Sequence, residues 1–248
     1  MATGLAINQA SDDAAGLAMS QDLESQARGF KAAADNVSDA GDAMNITQGV
    51  ASQSTDILQQ QRDLALQASN GTLTDTQRQS IDTEYQQLTQ QLDQQANGAQ
   101  YNTQGVANGT GLASGNAQIQ ASPDAGGAIS APQVNLTSKA LGMAGTSVAT
   151  AGQAQNAINS IDNALNSLNS SQSTVGAFAN KLGYENDNLN TEATNTLAAQ
   201  SQISDEDMAQ GATDLSTQML LNQTAIAAFG MFNKISQNSI MGLTAEQP

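Results

Sequence analysis

The sequence contains no cysteine and no histidine. Without cysteine there are no disulfides, no thiolate zinc sites and no thiol nucleophile. Without histidine the commonest general base and the commonest transition-metal ligand are missing. Tryptophan is absent and aromatic residues make up 3% of the chain, a composition that suits packed helices better than a compact enzyme. Three prolines in 248 residues leave room for long uninterrupted helices. Charged residues are 12%, with 7 basic against 23 acidic and a net charge of −16, a field that makes nucleic acid a poor partner. No apolar run is long enough to span a membrane, and no signal peptide is visible. Export by a route that needs no cleaved signal would leave the same sequence. No catalytic residue, cofactor or metal site is expected. Three adjacent acids, Asp205-Glu206-Asp207, have no second ligand cluster near them in sequence. They read instead as the first turn of a helix capped by Ser204.

What the chain has is period. Leu23, Phe30, Val37, Met44, Ala51, Leu58 and Ala65 recur every seven residues. Ala27, Ala34, Gly41 and Gln48 follow the first four at a spacing of four, so that all share one helix face. A strict seven-residue repeat implies a left-handed coiled-coil seam. Ile161, Leu168, Val175, Leu182, Leu189, Thr196 and Ile203 keep the same period, with Ile158, Leu165, Gln172, Ala179, Asn186, Ala193 and Gln200 between them. The two seams are equally long, about 63 Å each. The chain goes out and returns, so they are expected to pair antiparallel. Two separate amphipathic helices on a globular core would rarely reach such lengths. Ala43, Ile46, Val50, Ile57 and Leu64 form a second stripe on the first helix, expected to help cover a shorter one.

In order, residues 11–69 read as the first helix, with Ser11 as N-cap and Asn70-Gly71 as the stop, Gly71 taking the left-handed conformation. Thr74 to Gln77 reads as a capping box. Ile81, Tyr85, Leu88 and Leu92 give the next helix one apolar stripe, with Tyr85 in the core, as far as Asn97-Gly98. Residues 101–150 are rich in Gly, Asn, Ser and Ala and hold Pro123 and Pro132. There, 117–120 and 128–130 alternate as a hairpin around a turn at 123–127. A returning helix covers 151–202. Its polar face, Asn156, Asn159, Asn163, Asn166 and Asn169, suits either solvent or a neighbouring subunit. The last segment, 214–243, is the most apolar and is interrupted by Gln223, Thr224, Asn233, Gln237 and Asn238. The predicted fold is mainly α: a long antiparallel coiled-coil-like bundle of three core helices, a small β-hairpin region and a C-terminal apolar helix. The predicted segments are 1–100, core helices; 101–150, hairpins and loops of the same domain; 151–203, the returning core helix; and 204–248, a terminal polymerisation helix.

Two blocks carry a resemblance. The first is Gly4-Leu5-Ala6-Ile7-Asn8 with Ser11-Asp12-Asp13-Ala14-Ala15-Gly16-Leu17-Ala18. The second is Leu58-Gln59-Gln60-Gln61-Arg62-Asp63-Leu64-Ala65-Leu66-Gln67-Ala68-Ser69-Asn70-Gly71-Thr72. Together they resemble the N-terminal region of bacterial flagellins. The acidic run at 205–207, followed by Leu215-Ser216-Thr217-Gln218-Met219-Leu220-Leu221-Asn222-Gln223, resembles that family's joint and terminal helix. The hook–filament junction protein is a related reading, and the blocks favour flagellin. The resemblance implies a structural subunit of the flagellar filament that self-assembles, is exported without a cleaved signal peptide and resides outside the cell. The short central region implies no large variable outer domains.

The resemblance also implies partners. A flagellar export chaperone would wrap the terminal helix at Leu215, Met219, Leu220, Ile226, Phe229, Phe232 and Ile235. A vertebrate Toll-like receptor would meet Gln60, Leu64 and Glu84, and weakly, since Gln60 stands where receptor-active members carry Arg. Family members have a further helical segment upstream, where this chain has Met1-Ala2-Thr3. A truncated N-terminus is therefore expected, with the core fold kept, assembly weakened and the terminal helix disordered or packed on another molecule. The alternative function is a surface-displayed homologue that captures an extracellular polysaccharide, motivated by the short central region and the amide-rich surface.

Overall fold

The computed structural model describes residues 5–205 and 207–245, the side chains of Met208 and residues 239–245 excepted. The expected N-terminal replacement, Met1-Ala2-Thr3, together with Gly4, Glu206 and the side chains of Ile240, Met241 and Leu243, lies outside the described residues. Four helices, α1 (Ala14–Ala68), α2 (Asp75–Gly98), α3 (Ala151–Ser204) and α4 (Met208–Ala245), dominate. Two antiparallel strand pairs lie between α2 and α3: β1 (Gln100–Tyr101) with β2 (Gln104–Gly105), and β3 (Gln118–Gln120) with β4 (Ala128–Ser130). The fold is mainly α, as predicted. The chain forms two compact units, Gln26–Asn195 and Met1–Ser25 with Thr196–Pro248. Both α1 and α3 run through the boundary, which falls inside two of the four predicted segments, 1–100 and 151–203.

The helix ends follow local chemistry. Asp13, not Ser11, caps α1: its Oδ1 accepts the amides of Ala15 and Gly16 at 3.0 Å. Asp12 instead accepts from Asn8 and Gln9. At the other end Gly71 is not left-handed. Asn70 Oδ1 accepts the Thr72 amide at 3.1 Å and turns the chain by itself. At α2 the capping box is complete: Thr74 N donates to Gln77 Oε1, and Gln77 N to Thr74 Oγ1. Arg78, buried near the start of α2, donates from Nε to Ala68 O and from Nη2 to Asn70 O, both at 3.0 Å. It thereby satisfies carbonyls that end α1.

Polar ties give the helix directions within residues 26–195. Arg78 meets Ala68, Gln61 Nε2 donates to Tyr85 O and Thr89 Oγ1, and Gln95 bonds Gln53. As α1 descends α2 rises, so the two are antiparallel. Likewise Arg62 pairs Asp162 at 2.9 Å, Gln172 donates to Thr55 Oγ1, and Asn186 Nδ2 donates to Ala34 O at 2.8 Å. Thus α3 is antiparallel to α1. One contiguous apolar core joins α1, α2, α3 and the intervening segment.

On α1 the buried lines are Val37, Met44, Ala51, Leu58 and Ala65, and, three residues after each, Ala40, Thr47, Ser54, Gln61 and Ala68. The companion line expected at a spacing of four breaks down beyond Ala34: Gly41 is half-buried and Gln48 exposed. The cause is a second neighbour. Thr47 Oγ1 bonds Val106 O at 3.1 Å and Gln61 reaches α2, so that flank of α1 is covered as well. On the expected second stripe Ala43 and Ile57 are buried, Val50 and Leu64 half-buried and Ile46 exposed. On α3, Ile161, Leu168, Val175, Leu182 and Leu189 are buried. Leu23, Phe30 and Ile203 are half-buried. On α2, Tyr85 and Leu92 are fully buried, Ile81 and Leu88 half-buried.

Two carboxylates of α2 hold the segment before α3. Asp93 accepts from Ser138 N and Oγ, both at 2.8 Å, and Asp82 from Val148 N at 2.7 Å and Ser147 Oγ at 2.9 Å. The β1–β2 turn places Asn102 (φ 47°) and Thr103 (φ 64°) in the left-handed region that two-residue hairpin turns require. Tyr101 OH fixes this hairpin to α1 through Asp39 Oδ1 at 3.1 Å. The β3–β4 turn lies over Gly29, where an added Cβ would come within 2.5 Å of Pro123 Cβ.

Candidate assembly surface

The unit made by the chain's two ends is built on backbone pairing. Leu5 forms an antiparallel bridge with Asp205, and Ala6 N donates to Ser204 O at 2.8 Å. The lead-in thus satisfies a carbonyl at the end of α3. Gly16 makes room for it, since a Cβ there would meet Ile7 Cδ1 at 2.7 Å. Ser204 is consequently the last residue of α3 and not the cap of the next helix. Asp207 caps α4, its Oδ1 accepting the amides of Ala209 and Gln210.

From residue 212 to residue 238 every side chain of α4 is exposed. Leu215, Met219, Leu220, Leu221, Ile226, Phe229, Met231, Phe232 and Ile235 stand 46–73% open. These residues are not confined to one stripe but surround much of the helix. A helix apolar on most faces is normally enclosed on more than one side. Burying one such Leu or Phe stabilises an assembly by about 1.5–3 kcal/mol, so the face provides a large driving force for association. Among the described residues no helix is long and apolar enough to cross a membrane, and no group of three or more acids is placed to hold a metal ion.

The other predicted site residues lie on the helical unit. Gln60 and Glu84 are exposed and Leu64 is half-buried. Gln61 bonds the Tyr85 carbonyl, which brings Gln60 and Glu84 to one level of the α1–α2 pair. Sequence reading missed Arg78 and Gln61, whose roles depend on neighbours distant in sequence. For Gln61 the only sequence signal was its place on the seven-residue line of Ala33, Ala40, Thr47 and Ser54.

Residues 1–111 match the bacterial flagellin N-terminal helical region, and residues 158–243 the bacterial flagellin C-terminal helical region. The chain is 31% identical over 239 residues to a flagellin of Halalkalibacterium halodurans, covering 96% of this chain and 87% of that one. It is 30% identical over 261 residues to the flagellar filament core protein flaB2 of Brachyspira hyodysenteriae, covering 97% and 88%. The crystal structure of Bacillus cereus flagellin superposes with a TM-score of 0.55 at 28% identity, covering 67% of this chain and 94% of that one. Helices that pack on one another, small antiparallel strand pairs and an exposed apolar terminal helix describe a structural protein that associates through its helices. The chain belongs to the bacterial flagellin family.

Proposed function

We propose that this chain is a structural subunit of a bacterial flagellar filament, working by self-association outside the cell. The observation that carries the reading is α4, with exposed apolar side chains on most of its surface. Residues 26–195 supply a helical body tied at several levels. Identical copies meeting through unlike surfaces build open helical assemblies. Because the side chains that would drive association are not part of the chain's own core, weakening them leaves the fold intact. The test is seeded elongation, followed by sedimentation and negative-stain microscopy, of the parent and an Ile226→Ser/Phe229→Ser variant. The variant is expected to elongate seeds far less than the parent, with an unchanged melting temperature. A variant that elongates as well as its parent would sink the reading.

Three finer readings go with it. An export chaperone covers α4 at Leu215, Met219, Leu220, Ile226, Phe229, Phe232 and Ile235 before assembly, shielding the same apolar surface. Export proceeds without a cleaved signal peptide. Toll-like receptor recognition is weak, because Gln60 offers an amide where a guanidinium would supply charge and a two-pronged geometry. A reporter assay in which this chain matches a strong activator in potency would refute the last. No observation favours polysaccharide capture.

A further inference from the structure

The chain has no cysteine, histidine or tryptophan, which confines its readily oxidised side chains to methionine. The described methionines fall into two classes. Met44 and Met143 are buried, 3% and 0% exposed. Met19, Met219 and Met231 are 58%, 57% and 67% exposed. The last two lie on α4, and Met231 sits between Phe229 and Phe232 in sequence, among the apolar side chains that the proposed function uses. We propose that Met219 and Met231 are two separate oxidation-sensitive positions on α4, at either of which a hydroperoxide switches off self-association of the free subunit. The inference rests on the filament-subunit reading of α4.

The chemistry is a two-electron oxygen transfer. The thioether sulfur attacks one peroxide oxygen and the O–O bond breaks. The sulfur becomes a sulfoxide and the other oxygen leaves as water, or as an alcohol from an organic peroxide. A flexible apolar side chain becomes a polar one with a strong acceptor. Placed in an interface that excludes water, that oxygen is buried without a matched donor. An interface that has already formed denies peroxide access to the same sulfurs. Oxidation therefore selects against subunits not yet assembled. The change is undone by methionine sulfoxide reductases, so it is reversible at both positions.

The test treats the full chain with hydrogen peroxide, measures sulfoxide at each methionine by peptide mass spectrometry, and then measures seeded elongation. Met19, Met219 and Met231 are expected to oxidise at least about tenfold faster than Met44 and Met143, following their exposure. Elongation should fall by a similar factor and return after reductase treatment. The Met219→Leu/Met231→Leu variant should keep elongating after peroxide, whereas Met19→Leu should protect nothing. Comparable oxidation of buried and exposed methionines would overturn the inference, as would equal peroxide sensitivity in the double variant. If the untreated parent does not elongate seeds, the filament reading fails and takes this inference with it. If the untreated parent elongates and its oxidised form does too, this inference alone fails.

Discussion

Arg78 closes the end of α1 from the next helix, its Nε donating to the Ala68 carbonyl at 3.0 Å. The same guanidinium donates to Asn70 O and pairs with Asp75. Asp75 is almost fully exposed, so that ion pair adds little. The buried bonds to α1 carry the effect. Arg78→Met is expected to cost about 1.5–3 kcal/mol, since two charge-assisted bonds to carbonyls are lost and only Asn70 O keeps another donor, the Leu73 amide. Urea unfolding measures it, and an unchanged midpoint would show those carbonyls to be satisfied otherwise.

Gln61 gives the opposite sign. Its side chain is buried and its Oε1 has no hydrogen-bond partner among the described residues. The groups it donates to are engaged elsewhere, since Thr89 Oγ1 also bonds Tyr85 O. Gln61→Met keeps the volume and removes the unpaired amide, and is expected to raise stability by about 1 kcal/mol. For a chain of this size that is a rise of about 2–4 °C in melting temperature.

Leu168 is fully buried on α3. Leu168→Ala is expected to cost about 2–5 kcal/mol through lost burial and the cavity it leaves. A melting temperature equal to the parent's would place that side chain outside the core.

Burial holds the Tyr85 phenol above its ordinary 10.0, Asp82 adds to the rise and a hydrogen bond with Thr146 opposes it. The fold therefore favours the neutral phenol. The stability it confers is present below about pH 10 and is lost as pH climbs from there through the raised folded value. Tyr85→Phe should flatten that alkaline fall. It should also cost about 0.5–1.5 kcal/mol at neutral pH for the bond to Thr146. Chemical denaturation between pH 8 and 11 (about the range in which tyrosines titrate) reads both.

Gly29→Ala would ordinarily strengthen a helix by about 1 kcal/mol. Here the new methyl would lie 2.5 Å from Pro123 Cβ, so the β3–β4 turn must lift from α1. Amide exchange at Ile119 and Ala121 is expected to accelerate while the middle of α3 is unchanged. Unaltered exchange in the hairpin would show that the turn can yield without moving away.

Hydrophobic period made the fold class legible, because a seven-residue repeat of Leu, Val and Met sustained over this length buries its apolar line only against another long helix. Local motifs were legible too: the Thr74 box needs only its own turn, and the alternation around 117–130 needs only its own strands. What the sequence hid was polar atoms at core positions. Thr47, Ser54 and Gln61 keep the period of the apolar line, yet hydropathy reads them as surface. Ser204 was misplaced for a related reason. A serine before acids resembles a helix start, and only the lead-in pairing of Ala6 with Ser204 shows that the preceding helix is still running. The apolar character of α4 was plain in sequence, and from residue 212 to residue 238 no described residue covers it.

A heptad repeat has a translational degeneracy: sliding one helix by seven residues restores every apolar contact in kind. The bonds of Arg62 with Asp162, Thr55 with Gln172 and Ala34 with Asn186 lift it. A slide of α3 by one repeat would set Gln155 or Asn169 where Asp162 now stands, and the guanidinium would lose its carboxylate. The ion pair itself contributes little to the free energy of folding, since the Arg62 and Asp162 side chains are 41% and 47% exposed. Unevenly spaced along α1, the ties act as a vernier. Every copy carries the same axial alignment, and a filament whose repeat depends on identical subunits inherits it.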